Sequence, residues 1–382
     1  MTHKVYTAIG FMSGTSLDGV DAAILRTDGI EIYEFGRSVS MAYADFEKAD
    51  LTGAVQKALD WGFDIKTPPP SEFVRVREII HRSHMASLRT LQNEYFDHGR
   101  RRVHPVIDVI GVHGQTVLHH PPLNGKNGQT LQIADGQKLA NESKIDVVHD
   151  FRSADVAAGG QGAPLAPIYH EALCRRSGLE GRVAIVNIGG VANISAIEHG
   201  SLLWATDCGP GNGPLDSWVF KHIGQSYDVG GRLSFAGAPS FTKIEDWLSR
   251  DFFIRPIPRS ADRYDFDVLA EMKGMSVEDG AATLSAFCAL SIARDLAAFQ
   301  PETVIICGGG RHNQAIMQML SIHCSEAPIK AAEDVGWNGD MLEAEAFAFL
   351  AVRVMNGLPI SFPQTTGVAK PLCGGQIALA SK

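Results

Sequence analysis

Residues 4–12 (KVYTAIGFM) open the chain with the apolar bias of a strand, and after a turn rich in Gly and Ser residues 20–25 repeat it. A third strand begins at Ile30. Residues 44–104 carry no strand signal, and the Pro68-Pro69-Pro70 break divides them into two helical stretches, the second with Ile79, Ile80, Leu88, Leu91 and Tyr95 at near-helical spacing. Strands are expected again at 106–112, ending in His113-Gly114-Gln115-Thr116, and at 146–149. The latter leads into a glycine-rich loop, 157–162, and a helix over about 164–174, whose early proline suits a first turn.

The second half repeats this order. Apolar runs at 183–188, 191–197 and 202–206 read as three strands, the first two joined by Gly189-Gly190. A largely helical insertion including 281–299 precedes a strand at 304–307, the triple glycine Gly308-Gly309-Gly310, a helix at 313–320 and a strand at 329–332. In the closing helix Asp340 and Glu343 have capping-box spacing, Leu342, Ala346, Phe349 and Leu350 share a face, and Gly357 is the stop. Two α/β domains are expected, 1–170 with a C-terminal segment at about 358–382, and 171–357.

The 382 residues allow two to three domains, and 45% hydrophobic with 20% charged residues describes a chain with a sizeable core, excluding disordered and fibrous classes. Acidic residues outnumber basic ones, 43 to 34, so a nucleic acid partner is not expected. The six cysteines form no CxxC pair and no Cys/His cluster at metal spacing, which argues against disulfides and zinc and fits a reducing cytoplasm. The N-terminus shows no signal-peptidase site and no eighteen apolar residues run uninterrupted, so neither secretion nor a membrane span is expected.

Five segments carry candidate chemistry. In 10–21 (GFMSGTSLDGVD) the small residues Ser13, Gly14, Thr15, Ser16 and Gly19 let backbone N–H groups approach an anion, a phosphate cradle without a lysine, although a polar hairpin with purely structural glycines reads the same way. Asp18 and Asp21 fit beside phosphates only with hydrated Mg²⁺ between. Gly189-Gly190 is the analogous turn of the second half, and Gly308 to Gly310 would admit a base or ribose; a plain hairpin and a plain strand-to-helix turn are the competing readings. Asp207, at a strand end before Gly209-Pro210-Gly211, is placed as a general base. His113, Gln115, Thr116, Arg152 and Gln161 have the amides, hydroxyl, imidazole and guanidinium of a pocket for sugar hydroxyls and a carboxylate, whereas His119 and His120 read as structural.

Taken together, GFMSGTSLDGVDAAIL, VHGQTVLHHPP, TLQIADG, VVHDFRSADVAAGGQGAPLAP, NIGGVANIS, TDCGPGN, CGGGRHNQAIM, DMLEAEAFAFLA and LPISFPQTTGV resemble, in family order over nearly the whole chain, the anhydro-N-acetylmuramic acid kinases of the sugar kinase, actin and chaperone ATPase superfamily. The resemblance implies two actin-like (ribonuclease H-like) domains with the active site in the cleft between them. It also implies a homodimer that uses ATP and Mg²⁺ to convert 1,6-anhydro-N-acetylmuramic acid and water into N-acetylmuramic acid 6-phosphate, in cell-wall recycling. Gly14, Thr15, Ser16, Leu17, Asp18, Gly19, Val20 and Asp21 fall on the family's ATP-phosphate segment and Asp207 on its catalytic aspartate. Two departures stand out. Cys208 replaces the usual Thr, implying loss of a hydroxyl near the reacting groups, and the family's PPKSTGRE reads IPRSADRY at 257–264. A kinase for another anhydrosugar such as levoglucosan, and a non-catalytic nucleotide-binding sensor, are the alternatives; Asp207 in its Gly-Pro-Gly turn favours an enzyme.

Overall fold

Two β-sheets organise the chain, one in each of two compact units: Met1–Ala172 with Glu343–Pro363 and Gly367–Lys382, and Leu173–Leu342 with Gln364–Thr366. The computed structural model describes residues 3–14, 17–62, 67–93, 95–97, 100–102, 106–122, 127–261 and 263–381, with backbone alone for 95–97, 100–102, 263 and 264.

In the first unit β1 (Tyr6–Ser13), β2 (Gly19–Thr27) and β3 (Ile32–Ala42) form an antiparallel meander. Helices α1 (Asp45–Trp61) and α2 (Glu72–Gln92) follow, and then a short hairpin, β4 (Tyr95–Asp97) and β5 (Arg100–Arg102), where the hydrophobic pattern predicts no strand. Strand β6 (Val109–His120) returns parallel to β1 and runs past the expected end at residue 112. Its extension is paired by β7 (Gln129–Ile133), a polar strand invisible to the pattern. Helix α3 (Gly136–Ser143), capped by Asp135, leads to β8 (Asp146–His149), parallel to β6. Two further helices, α4 (Ser153–Ala157) and α5 (Pro167–Arg176), complete this stretch.

The second unit repeats the plan. Strands β9 (Arg182–Ile188), β10 (Val191–Glu198) and β11 (Ser201–Pro210) form the meander. The α-helices α6 (Gly213–Ile223), α7 (Arg232–Ala236), α8 (Phe241–Leu248), α9 (Asp251–Ile254) and α10 (Val277–Phe299) intervene before β12 (Thr303–Cys307), which lies parallel to β9. Helix α11 (Gln314–His323) and β13 (Ile329–Ala331), parallel to β12, finish it. Both sheets therefore have three antiparallel strands extended by two parallel ones, β3-β2-β1-β6-β8 and β11-β10-β9-β12-β13, the order of a ribonuclease H-like, actin-like domain.

Strands β9 and β12 are covered on both faces, which is why they read as near-continuous apolar runs, whereas the edge strand β13 is only half-buried. Helix α10 is long and apolar enough to cross a membrane by composition alone, yet 72% of its most apolar window is buried within the protein, as expected of a core helix. Helix α12 (Leu342–Met355) packs in the first unit, although the pattern carries the second domain on to residue 357. Its seat explains this: a Cβ on Gly10 of β1 would lie 1.9 Å from the Ala344 carbonyl oxygen, and one on Gly111 of β6 would lie 2.2 Å from that of Phe347. Only glycines in the sheet let the helix come so close.

Candidate active site

In the first unit, the turn between β1 and β2 is held from several sides. The Leu17 N–H donates to the Gly14 carbonyl at 3.3 Å, with Leu17 in the left-handed region at φ 58°. Gln115 is fully buried, and its Nε2 donates to the same carbonyl at 3.0 Å, so a residue expected to meet sugar supports the hairpin. The Tyr43 N–H donates to the Asp18 carbonyl at 2.9 Å, and the Tyr43 hydroxyl lies 3.3 Å from Ser13 Oγ, its pKa pushed up to about 12 by burial. Gly19, Val20 and Asp21 sit in β2, paired with Ala42, Met41 and Ser40. A Cβ on Gly19 would lie 2.4 Å from the Met41 carbonyl oxygen, so this glycine is required by strand pairing. Thr15 and Ser16 lie outside the described residues.

A second cluster centres on Arg152. Its Nε donates to His113 Nε2 at 3.0 Å and its Nη1 to the Gly162 carbonyl at 2.6 Å, while the Gly162 N–H donates to the buried Asp155 Oδ1. An imidazole that accepts at Nε2 carries its proton on Nδ1. Burial first, and then the Arg152 charge, hold His113 well below the usual histidine range, and the same causes hold His119 at about 4. His119 shares a hydrogen bond with Thr130 Oγ1 at 3.1 Å, and Gln132 Nε2 reaches Thr130 at 2.7 Å and Thr116 at 3.4 Å. Gln161 is half-buried in the adjoining loop. Two neutral imidazoles beside a guanidinium suit hydroxyl and carboxylate recognition. His119, read from the sequence as structural, adjoins this cluster; a Cβ on Gly162 would lie 2.9 Å from its Cε1.

In the second unit three glycine segments meet at the end of β9. The Gly211 and Gly213 N–H groups donate to the Gly190 carbonyl at 3.1 and 3.2 Å, and that of Asn212 to the Gly189 carbonyl at 2.7 Å. A Cβ on Gly308 would lie 2.3 Å from Asn187 Oδ1, and one on Gly310 2.2 Å from Ile188 Cγ2. Arg311, missed in the sequence, ties this loop down: it is buried, donates through Nη1 to the Gly308 carbonyl at 2.9 Å, and pairs with Glu333 and Asp340 at 2.8 Å each. Asp207 lies inside β11, opposite Asn193, instead of at a strand end. Pairing slips immediately afterwards, with Gly209 opposite Ala192, so Cys208 is the extra residue of a β-bulge, a feature that re-aims side chains beside active sites. Asp207 is 6% exposed and accepts from the Ala261 N–H at 2.9 Å.

The family model for anhydro-N-acetylmuramic acid kinase matches residues 6–380. This chain belongs to that family. Enzymes of that name from Acidiphilium cryptum and Phenylobacterium zucineum are 44% and 45% identical to it, each over 97% of this chain and 97% and 98% of their own length. That from Caulobacter vibrioides is 44% identical over 97% of this chain and 98% of its own. The chain is accordingly a kinase. Among solved structures, a glucokinase of the ROK family from Streptomyces griseus in complex with glucose and AMPPNP is 12% identical, covering 90% of this chain and 99% of its own at a TM-score of 0.40.

Membership in the anhydro-N-acetylmuramic acid kinase family makes the two departures worth placing. Cys208, expected near the reacting groups, turns its side chain into the core. Its side chain is wholly buried in the core with Ala192, Cys288 and Ile292, and its Sγ donates to the Ala192 carbonyl. Of the altered 257–264 stretch, Arg259 to Ala261 lie against Thr206 and Asp207, and Asp262 is outside the described residues.

Proposed function

We propose that this kinase takes ATP, water and 1,6-anhydro-N-acetylmuramic acid to ADP and N-acetylmuramic acid 6-phosphate, in the recycling of cell-wall sugars. The observation that supports it most is Asp207, held by a backbone N–H at a bulge in β11, in a chain that matches the family from residue 6 to 380.

In this reading Asp207 accepts a proton from water as the water oxygen bonds to the anomeric carbon. The bond from that carbon to the bridging 6-oxygen breaks, the 6-oxygen takes the γ-phosphoryl group, and ADP leaves. Gly14, Thr15, Ser16, Leu17, Asp18, Gly19, Val20 and Asp21 serve the nucleotide phosphates, with Gly189, Gly190, Gly308, Gly309 and Gly310. His113, Thr116, Arg152 and Gln161 serve the sugar. Gln115 acts through the hairpin it braces, while its buried Oε1, unpartnered among the described residues, remains an acceptor. Mg²⁺ neutralises phosphate charge when bound. Among the described residues no three His, Cys, Asp or Glu gather as a protein cage, which suits an ion carried mainly on phosphates and met by a single carboxylate; Asp18, exposed beside the hairpin, is that residue. A homodimer in the cytoplasm completes the proposal.

Turnover in water enriched in heavy oxygen tests it. The label is expected on the anomeric hydroxyl, with the unlabelled bridge oxygen in the phosphoester. Mass spectrometry of product quenched before anomeric exchange and then fragmented locates it. Label in the phosphoester, or none at all, overturns the mechanism.

A further inference from the structure

The main chain at 259–261 runs alongside the strand that carries Asp207. The Asp207 N–H donates to the Arg259 carbonyl at 3.0 Å, and Thr206 Oγ1 donates to the same carbonyl at 3.1 Å while accepting from the Arg259 N–H at 3.0 Å. The Ala261 N–H then reaches Asp207 Oδ2. A general base works only if its oxygen is held in line with the proton it takes, and a displacement of 1 Å costs about 10²-fold. The position of this short segment therefore bears directly on Asp207.

The segment is anchored by the Arg259 side chain. Arg259 is 5% exposed; its Nη2 donates to Asp295 Oδ2 of helix α10 at 2.5 Å and its Nη1 to the Arg255 carbonyl at 3.1 Å, and the guanidinium lies 4.9 Å from the centre of the Phe252 ring. Asp295 is itself only 13% exposed. A buried ion pair is an expensive way to gain stability, since a well-packed apolar pair often does as well. What the ion pair adds is direction: a planar fork fixed to one carboxylate and one carbonyl restricts where its own backbone can lie.

We propose that Arg259 and Asp295 are positioning residues for Asp207, setting the 259–261 main chain and, through the Ala261 N–H, the carboxylate that takes the proton. This rests on the reading of Asp207 as the base. The test compares full-length parent, Asp207→Asn, Arg259→Met with Asp295→Leu, and the combination of all three. The paired apolar change leaves no buried charge unpartnered, so folding is retained by circular dichroism and thermal melting. Expected are KM values for ATP and sugar within about twofold of the parent and a kcat lower by about 10- to 100-fold. In the Asp207→Asn background the paired change is expected to lower kcat no further, because no base remains to be positioned. Asp295→Asn alone, which keeps an acceptor for Arg259, gives a second measurement, an intermediate fall in kcat at unchanged KM. Parental kcat in either variant, or an equal fall with and without Asp207, overturns the proposal. Near-parental turnover of Asp207→Asn by itself would instead refute the base assignment.

Discussion

Acidification to pH 5 is expected to destabilise the first unit severely, because three of its histidines are buried, and a fourth half-buried, in neutral form. His84 is 2% exposed with its ring 4.8 Å from that of Phe11, and burial, then His81, hold its pKa at about 3. Burial holds His170 at about 4, burial with Arg152 holds His119 at about 4, and His113 lies well below its ordinary value. In the unfolded chain each titrates near ~6.5, so between about pH 6.5 and pH 4 the unfolded state binds more protons. Stability is complete above that window and is lost as pH falls through it. At pH 5 His84, His119 and His170 each favour unfolding by about 2 kcal/mol, about 6 kcal/mol for the three, and His113 acts in the same direction. Glu345 has the opposite sign. It is 6% exposed, accepts from the Tyr169 hydroxyl, and is raised by burial to about 7. Its ionisation opposes folding near neutrality, and protonation on the way to pH 5 returns about 2 kcal/mol. The net loss, about 4 kcal/mol before His113 is added, approaches the whole stability of many domains, about 5–15 kcal/mol. Urea titrations at pH 7.5, 6 and 5 on the parent and His84→Gln measure it. The variant should lose about 2 kcal/mol less across that range. An identical pH dependence in the two proteins, or a folded-state His84 ring proton that titrates near ~6.5 by NMR, refutes the reasoning.

Cys208→Thr restores the residue usual in the family and is expected to leave kcat and KM within about twofold, because the side chain is in the core; a rise of tenfold or more in kcat would place position 208 at the reacting groups after all. Gly309→Ala is expected to fold like the parent, since the nearest atom to its Cβ is 3.6 Å away, yet to weaken a non-hydrolysable ATP analogue in calorimetric titration. Gly308→Ala, at φ 73° and with Asn187 Oδ1 2.3 Å from the Cβ, should cost stability by about 1–3 kcal/mol in urea titration.

Much of the architecture was legible because buried parallel strands write themselves as apolar runs. Strand β8 at 146–149 was read to the residue, and β9 and β12 to within one. Strands that carry function were harder. In β7 four of the five residues, Gln129, Thr130, Leu131 and Gln132, face at most partial burial, so the sequence Gln-Thr-Leu-Gln lacks an apolar signal, yet its Thr130 and Gln132 complete the polar cluster. The β4–β5 hairpin was missed because Tyr95 fell on the apolar spacing of the preceding helix, whereas α2 stops at Gln92 and Tyr95 pairs with Arg102, in a strand of three arginines with no apolar signal. His119 joins the cluster only through cross-strand pairing with Thr130 and the approach of a loop some forty residues on, which no local pattern encodes.

The same limit governs the glycines, which the sequence presents as equivalent and the structure does not. A glycine is required either where a backbone must pass close by or where a ligand must, and only the surroundings distinguish the two. Gly19, Gly308 and Gly310 meet Met41, Asn187 and Ile188 at 2.4, 2.3 and 2.2 Å from a would-be Cβ, so packing alone demands them. Gly189 and Gly309 meet nothing nearer than 3.6 Å. Space left beside a glycine that packing does not require is the property a phosphate or base needs, so the nucleotide reading rests more on these two than on the longer motifs around them. Asp207 follows the same logic in reverse. The Gly-Pro-Gly that drew attention to it is not the expected turn, since Gly209 and Pro210 pair with Ala192 and Val191 as the last residues of β11; the aim of Asp207 comes from a bulge at Cys208 and a main chain anchored at Arg259, neither visible until Asn193 and Ala261 are seen beside it.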